Sequence, residues 1–89
     1  MYRVETTPRF DKEFKKLDKY TQKLIKGWIN KKLINCEDPR NTGKELTGNL
    51  NGQWRYRIGD YRLLCHIDDN NLIIIALSVG HRLEVYRDK

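Results

Sequence analysis

Along the chain the spacing of apolar and polar positions changes three times, and each change predicts an element. Tyr2-Arg-Val-Glu-Thr6 alternates as a strand does, and is short enough to lie at a sheet edge or beside a later strand. From Thr7-Pro8 the period becomes helical. Thr is a good N-cap, Pro fits the first helical position, and Phe10, Phe14 and Leu17 follow on one face. Asp18 marks a boundary and caps a second helix, whose apolar positions Tyr20, Leu24, Ile25, Trp28, Ile29 and Leu33 recur at helical spacing. The segment 35–43 is dense in breakers, and 44–52 is expected to be an irregular connection that docks Leu46 and Leu50. After it the period is two. Gln53 to Ile58 and Tyr61 to Ile67 alternate across Gly59-Asp60, and Leu72 to Val79 is a near-continuous hydrophobic run rich in β-branched residues. The expected fold is α+β, with an N-terminal strand and a helical hairpin on one face of a mainly antiparallel twisted sheet.

The hairpin turn fixes what each strand face carries. With Gly59-Asp60 as a two-residue turn, which glycine at its first position favours as type II′, Ile58 pairs with Tyr61 and Arg57 with Arg62. Alternation then puts Arg55, Arg57, Arg62, Leu64 and His66 on one face, and Trp54, Tyr56, Ile58, Leu63, Cys65 and Ile67 on the helix-covered other. Like charges directly opposite one another destabilise a sheet, so the Arg57/Arg62 pair points to a bound anion, phosphate first. Pairing of these arginines with Glu45, Asp60 or Glu84 is the plain alternative. A second hairpin through 68–71 returns the Leu72 to Val79 run beside 61–67, a central place that suits its hydrophobicity.

Composition narrows the function. Eighty-nine residues make one small domain, 1–89, and 18 Lys and Arg against 12 Asp and Glu give a net charge of +6. A polyanion leads as the partner, with nucleic acid ahead of an acidic protein segment and a membrane surface far behind. No apolar run is long enough to span a bilayer and no signal peptide opens the chain, so a cytoplasmic protein is expected. Cys36 and Cys65 have neither CxxC spacing nor a neighbouring His cluster. The acidic residues are scattered or in turns, so neither a metal nor a cofactor is indicated.

Lys44-Glu-Leu-Thr-Gly48, Trp54-Arg-Tyr-Arg57, Asp60-Tyr-Arg-Leu-Leu64 and above all Ser78-Val-Gly-His-Arg82 with Glu84-Val-Tyr86 resemble the RelE branch of the RelE/ParE toxin superfamily over essentially the whole chain. The resemblance implies a type II toxin that cuts mRNA in the ribosomal A site and is neutralised by a cognate antitoxin. It carries the family's basic positions onto Arg55, Arg57, Arg62 and Arg82, and its aromatic position onto Tyr86. Well-studied members have lysines where this chain has Arg55 and Arg57. The lysine proposed to assist deprotonation corresponds to Arg57, and arginine stays protonated at physiological pH.

The expected chemistry is metal-independent attack of a 2′-OH on the adjacent phosphate. Arg57, Arg62 and Arg55 bind the scissile phosphate and stabilise the developing charge, the resemblance implies that Arg82 serves the leaving oxygen, and Tyr86 stacks on a splayed base or orients the ribose. Imidazole is the side chain best suited to proton transfer at physiological pH, so His81 and His66 are the candidate proton carriers, His81 first. His66 lies farther along the strand, which favours a structural or antitoxin-contacting role, and with Lys44 and Arg55 it is also an RNA- or phosphate-binding candidate. Glu45 and Glu84 are further possible bases. Two other functions stay open: a ParE-like toxin that poisons DNA gyrase by protein contact, and a non-catalytic RNA-binding module.

Overall fold

The structure is a computed structural model, and it describes residues 1–46 and 52–81. Seven elements follow in order: β1 (Arg3–Thr6), α1 (Pro8–Lys15), α2 (Lys19–Lys32), β2 (Lys44–Glu45), β3 (Trp54–Ile58), β4 (Tyr61–Asp68) and β5 (Ile73–His81). They form a five-stranded sheet in the order β1-β5-β4-β3-β2, in which β1 pairs parallel to β5 and every other pairing is antiparallel. The apolar run therefore takes the inner place expected for it. The two helices cover one face, closing a core of Phe10, Ile25, Ile29 and Leu33 over Tyr56, Leu63, Cys65, Ile74 and Ala76.

Local chemistry explains the element ends. The Thr7 side chain accepts from the Phe10 amide and Pro8 opens α1, as the sequence predicts. The Thr7 hydroxyl also donates to the Ala76 carbonyl at 3.0 Å, which ties the start of α1 to β5. Asp18 occupies the N-cap of α2, but its carboxylate accepts from the Thr21 hydroxyl rather than from a helix amide. Gly59 has φ 60° and Asp60 is not among the positive-φ residues, the φ pattern of a type II′ turn.

Three expectations need correction. Helix α1 ends at Lys15, so Leu17 lies beyond it, although it still packs against the core. On α2 the buried stripe is Thr21, Ile25 and Ile29 running on to Leu33, while Tyr20 and Leu24 are 73% and 43% exposed. The sequence offers two overlapping helical phases, and packing selects the one with β-branched residues four apart. Segment 44–52 is not wholly irregular, because Lys44 and Glu45 pair with Arg55 and Trp54, and the Leu46 amide donates to the Gln53 carbonyl at 2.9 Å. Leu50 lies outside the described residues.

The register of β5 contains a feature that the sequence did not announce. Leu64 pairs with Ser78 and Cys65 with Ala76, so Leu77 is an extra residue and β5 is bulged there. Strand β1 ends at Thr6, and just past it the α1 carboxylate of Glu13 takes the Val79 amide at 2.9 Å and the Ser78 hydroxyl at 2.7 Å. A side chain thus supplies acceptors where strand pairing stops.

Candidate RNA-binding face

The hairpin register is the predicted one: Ile58 faces Tyr61, Arg57 faces Arg62 and Arg55 faces Leu64. Extending these pairs to the neighbouring strands gives two rows across the sheet. One contains Arg57, Arg62 and Gly80, and the other contains Lys44, Arg55, Leu64 and Ser78. Strand alternation keeps both rows off the helix-covered face, where Trp28 packs on Tyr56 with ring centroids 5.3 Å apart. Trp54 and Tyr56 are accordingly scaffold. The Trp54 indole donates to the Thr42 carbonyl at 2.7 Å, the buried Tyr56 hydroxyl donates to the Pro39 carbonyl at 2.5 Å, and Arg40 lies over the Trp54 ring at 5.9 Å. These contacts hold the 35–43 loop against β3 and bring Lys44 into line with Arg55. Burial pushes the Tyr56 phenol well above its ordinary range, so it stays a neutral donor.

Arg62 differs from an ordinary surface arginine. It is 5% exposed, and among the described residues its Nη1 makes one long contact of 3.4 Å to the Tyr61 carbonyl and its buried Nε has no partner. Directly across the ladder stands the exposed Arg57. Neither has an ion pair among the described residues, so the pairing with Glu45 or Asp60 considered from the sequence is not made by either. A buried guanidinium with an orphan donor beside a second guanidinium is electrostatically incomplete, and an oxyanion supplies both the charge and the missing acceptor. The half-buried Arg55 flanks this pair. An open cleft of about 290 Å³ at the β2 and β3 edge is lined by Lys44, Arg55, Arg57, Trp28 and Tyr56.

The remaining candidates are not all gathered here. His66 is exposed and pairs with Ile75, four residues along β4 from Arg62, or roughly 13 Å. His81 closes β5 opposite Tyr61, with its ring edge-on to the tyrosine at 5.9 Å. By alternation it starts from the other side of the strand than Gly80 and Arg62. Arg82, Glu84 and Tyr86 lie outside the described residues. Among the described residues no three His, Cys, Asp or Glu side chains converge as metal ligands would. The sequence reading missed Glu13, which secures the bulge leading into Gly80 and His81. Burial would raise its carboxyl, but the Ser78 hydroxyl, the Val79 amide and Arg9 outweigh that and hold it below the ordinary range. Its only signal in sequence was an Arg9-Glu13 pair at i,i+4, common to many surface helices.

Comparison with known proteins agrees with this architecture. The family described as "ParE toxin of type II toxin-antitoxin system, parDE" matches residues 4–86. Toxin RelG of Mycobacterium tuberculosis is 42% identical over 50 residues, a segment covering 56% of this chain and 58% of that protein. The protein named RelE4 of Methanocaldococcus jannaschii is 30% identical over 90 residues, covering 100% of this chain and 95% of its own. Among solved structures, the toxin-antitoxin complex RelBE2 of M. tuberculosis includes a chain with a TM-score of 0.83 and 30% identity, each chain covered to 93%. The match along nearly the whole length, on a sheet that presents the same arginine-bearing hairpin the motifs singled out, shows that this chain belongs to the RelE/ParE superfamily of type II toxins, in its RelE-like branch.

Proposed function

We propose that the protein is a ribosome-dependent endoribonuclease that cleaves mRNA in the A site without a metal ion, and that a cognate antitoxin holds it inactive. The observation that carries this reading is Arg62, buried with an unpartnered Nε and paired across the ladder with Arg57. Two guanidinium groups in that arrangement bind a phosphate and gain strength as its charge grows in the transition state. The 2′-OH attacks the adjacent phosphorus and the bond to the 5′-oxygen breaks. A proton leaves the attacking hydroxyl and one reaches the leaving oxygen. Arg57 and Arg62 stabilise the intermediate charge, Arg55 and Lys44 hold the flanking backbone, Arg82 serves the leaving oxygen and Tyr86 orients the nucleotide.

His81 is the proposed proton carrier. Its pairing and edge contact with Tyr61 support a place at the end of β5, beside the arginine row rather than within it. The ribosome supplies the rest by holding the mRNA in an attack-competent geometry, a contribution of orientation rather than of acid–base strength. The antitoxin reading is supported by the relatives, whose solved complexes contain a toxin with its antitoxin. Such a complex would be cytoplasmic, where ribosomes are.

A second reading, gyrase poisoning, has in its favour that the matching family description is of ParE. One experiment separates the two. Purified protein is added to ribosomes programmed with a defined A-site codon, and in parallel to gyrase with supercoiled DNA. We expect cleavage of the mRNA, no DNA breaks, and a fall of about 100-fold or more in single-turnover cleavage for Arg57→Gln and Arg62→Met. DNA breaks with intact mRNA, or full cleavage by both variants, would overturn the assignment. The pH–rate profile of His81→Gln tests the proton carrier, since an unchanged profile removes His81 from the chemistry.

A further inference from the structure

The bulge in β5 decides which residue stands beside Arg62. From Asp68–Ile73 to Cys65–Ala76 the pairing of β4 with β5 is regular. Continued without the extra residue Leu77, it would set Ser78 against Leu63, Val79 against Arg62 and Gly80 against Tyr61. With the bulge the partners are Val79 for Leu63, Gly80 for Arg62 and His81 for Tyr61. One residue of slip therefore exchanges the faces of the strand end. Val79 goes into the core, where it is 3% exposed, and a residue without a side chain stands across from the buried guanidinium.

That exchange has a cost and a use. The bulge leaves Leu77 without a ladder partner, and a glycine inside a strand weakens it. Gly80 has no positive φ, so its backbone does not require glycine. Directly opposed Cβ atoms stand about 4.5–5.5 Å apart, so a valine in that place would press its methyl groups on the Arg62 side chain, on the flank away from Arg57. Glycine removes that side chain from beside the orphan Nε, as strand glycines do where a ligand approaches closely.

Helix α1 holds the bulge from both sides. The Thr7 hydroxyl donates to the Ala76 carbonyl at 3.0 Å and lies 3.2 Å from the Leu77 carbonyl. Oε1 of Glu13 accepts from the Ser78 hydroxyl at 2.7 Å and from the Val79 amide at 2.9 Å. Two side chains of one helix thus fix four successive residues, 76 to 79. The Glu13 bond also selects the register. Amides along a strand alternate between its two edges, so with the Val79 amide pointing out to Glu13 the amide of Gly80 points in toward β4. In the straight register Val79 would take the inward place opposite Arg62, and Glu13 would lose its backbone donor.

Building on the function proposed above, we infer that Thr7 and Glu13 are positioning residues for the reaction: by locking the bulged register of β5 they keep Gly80, rather than Val79, beside Arg62, and so keep the flank of the guanidinium pair clear for the scissile phosphate. Neither side chain touches the substrate. Each acts through the backbone of β5, from the helix layer, on a row that lies on the other face of the sheet.

The test uses the full chain carrying Glu13→Ala, Glu13→Gln or Gly80→Ala, with Phe10→Leu as a control that loosens α1 in the core without altering either clamp. Two quantities are read. One is the affinity for inorganic phosphate, from its thermal-shift increment over KCl at equal ionic strength. The other is the single-turnover rate on programmed ribosomes across a range of ribosome concentrations. We expect Glu13→Ala to weaken phosphate binding about 10-fold, the equivalent of one charge-assisted hydrogen bond. Its cleavage at saturation should slow about 10- to 100-fold with the half-saturating ribosome concentration unchanged. Glu13→Gln keeps the acceptor oxygen and should restore both. Phe10→Leu should lose stability yet match wild type in both readouts, and Gly80→Ala should lose phosphate binding by a factor similar to that of Glu13→Ala. A folded Glu13→Ala protein that binds phosphate as wild type does would overturn the inference, and so would an equal loss in Phe10→Leu. If Glu13→Ala does not fold, wild-type phosphate binding by Gly80→Ala overturns it instead. Because phosphate binding is read without ribosomes, the two proposals fail separately. Phosphate bound in a Glu13-dependent way with no cleavage by the wild type would refute the nuclease, and A-site cleavage with Glu13-independent phosphate binding would refute only the positioning role.

Discussion

At the scale of single residues, Arg62 is the clearest conflict between stability and use. Its Nε is buried without an acceptor and its charge faces Arg57, so the isolated protein bears both a desolvation penalty and a repulsion. An unmade hydrogen bond of this kind typically costs about 1–3 kcal/mol. Methionine fills much of the same volume with no donor to satisfy. Arg62→Met is therefore expected to raise stability in urea melts by about 1 kcal/mol while removing most cleavage, the trade-off found when a strained group is kept for binding. A loss of more than about 1 kcal/mol on that substitution would mean that the guanidinium is held by its surroundings and is not waiting for an anion. Gly43 shows the complementary constraint. Its φ is +83°, and an added Cβ would strike the Arg55 carbonyl and the Trp54 indole nitrogen, so only glycine lets β2 close on β3 and bring Lys44 beside Arg55.

At the scale of elements, the decisive feature is the bulge in β5 and the carboxylate that secures it. Glu13 accepts from the Ser78 hydroxyl and the Val79 amide, and the net effect is a carboxyl held below its ordinary value near 4.5. A depressed carboxyl contributes stability that is present above its unfolded pKa and is lost as pH falls through the folded one. Glu13→Ala leaves the Val79 amide without its acceptor and is expected to cost about 1–3 kcal/mol near neutrality. Glu13→Gln keeps an acceptor oxygen but no titration, so its stability should fall less steeply than wild type below about pH 4.5 in acid urea melts. Parallel acid limbs would dismiss the clamp.

The same strand shows where sequence reading stops. The β3 and β4 hairpin was legible to the residue, because Gly59 sets the turn and alternation sets the faces. The bulge was not, since a nearly continuous apolar run such as Leu72 to Val79 looks much the same in either register and the residue that fixes it lies 65 positions away in α1. Helix α2 was legible as a helix but not in phase, because Tyr20 and Leu24 recur at the same spacing as Ile25 and Ile29. The arginine set could be read from pattern alone, whereas its burial could not. His81 marks another limit, because its place in the tail motif gave no strand face, and the register puts it opposite Tyr61.

At the scale of the whole molecule, the charge distribution predicts two separable responses to salt. The first is screening. The helical hairpin carries the full +6, nine Lys and Arg against three Asp and Glu in residues 8–33, and repels itself. A Debye length that shrinks from about 30 Å at 0.01 M to about 10 Å at 0.1 M removes most of that repulsion between exposed lysines. The melting temperature should therefore rise with added KCl, and rise less when Lys19, Lys23 and Lys26 are replaced together by Gln. The second is site binding. Any ion held by the folded Arg57/Arg62 pair and not by the unfolded chain stabilises by RT ln(1 + [L]/Kd), so phosphate should add to the screening effect at equal ionic strength. Phosphate also strengthens burial in every protein, and that part is common to all variants. Arg62→Met isolates the remainder: it should keep the KCl response and lose the phosphate increment, while replacing Lys19, Lys23 and Lys26 together by Gln should keep the phosphate increment and reduce the KCl response. Differential scanning fluorimetry on the three proteins in KCl and in potassium phosphate at matched ionic strength reads both responses. If one variant removed both increments, the lysine face and the arginine pair would be a single anion site.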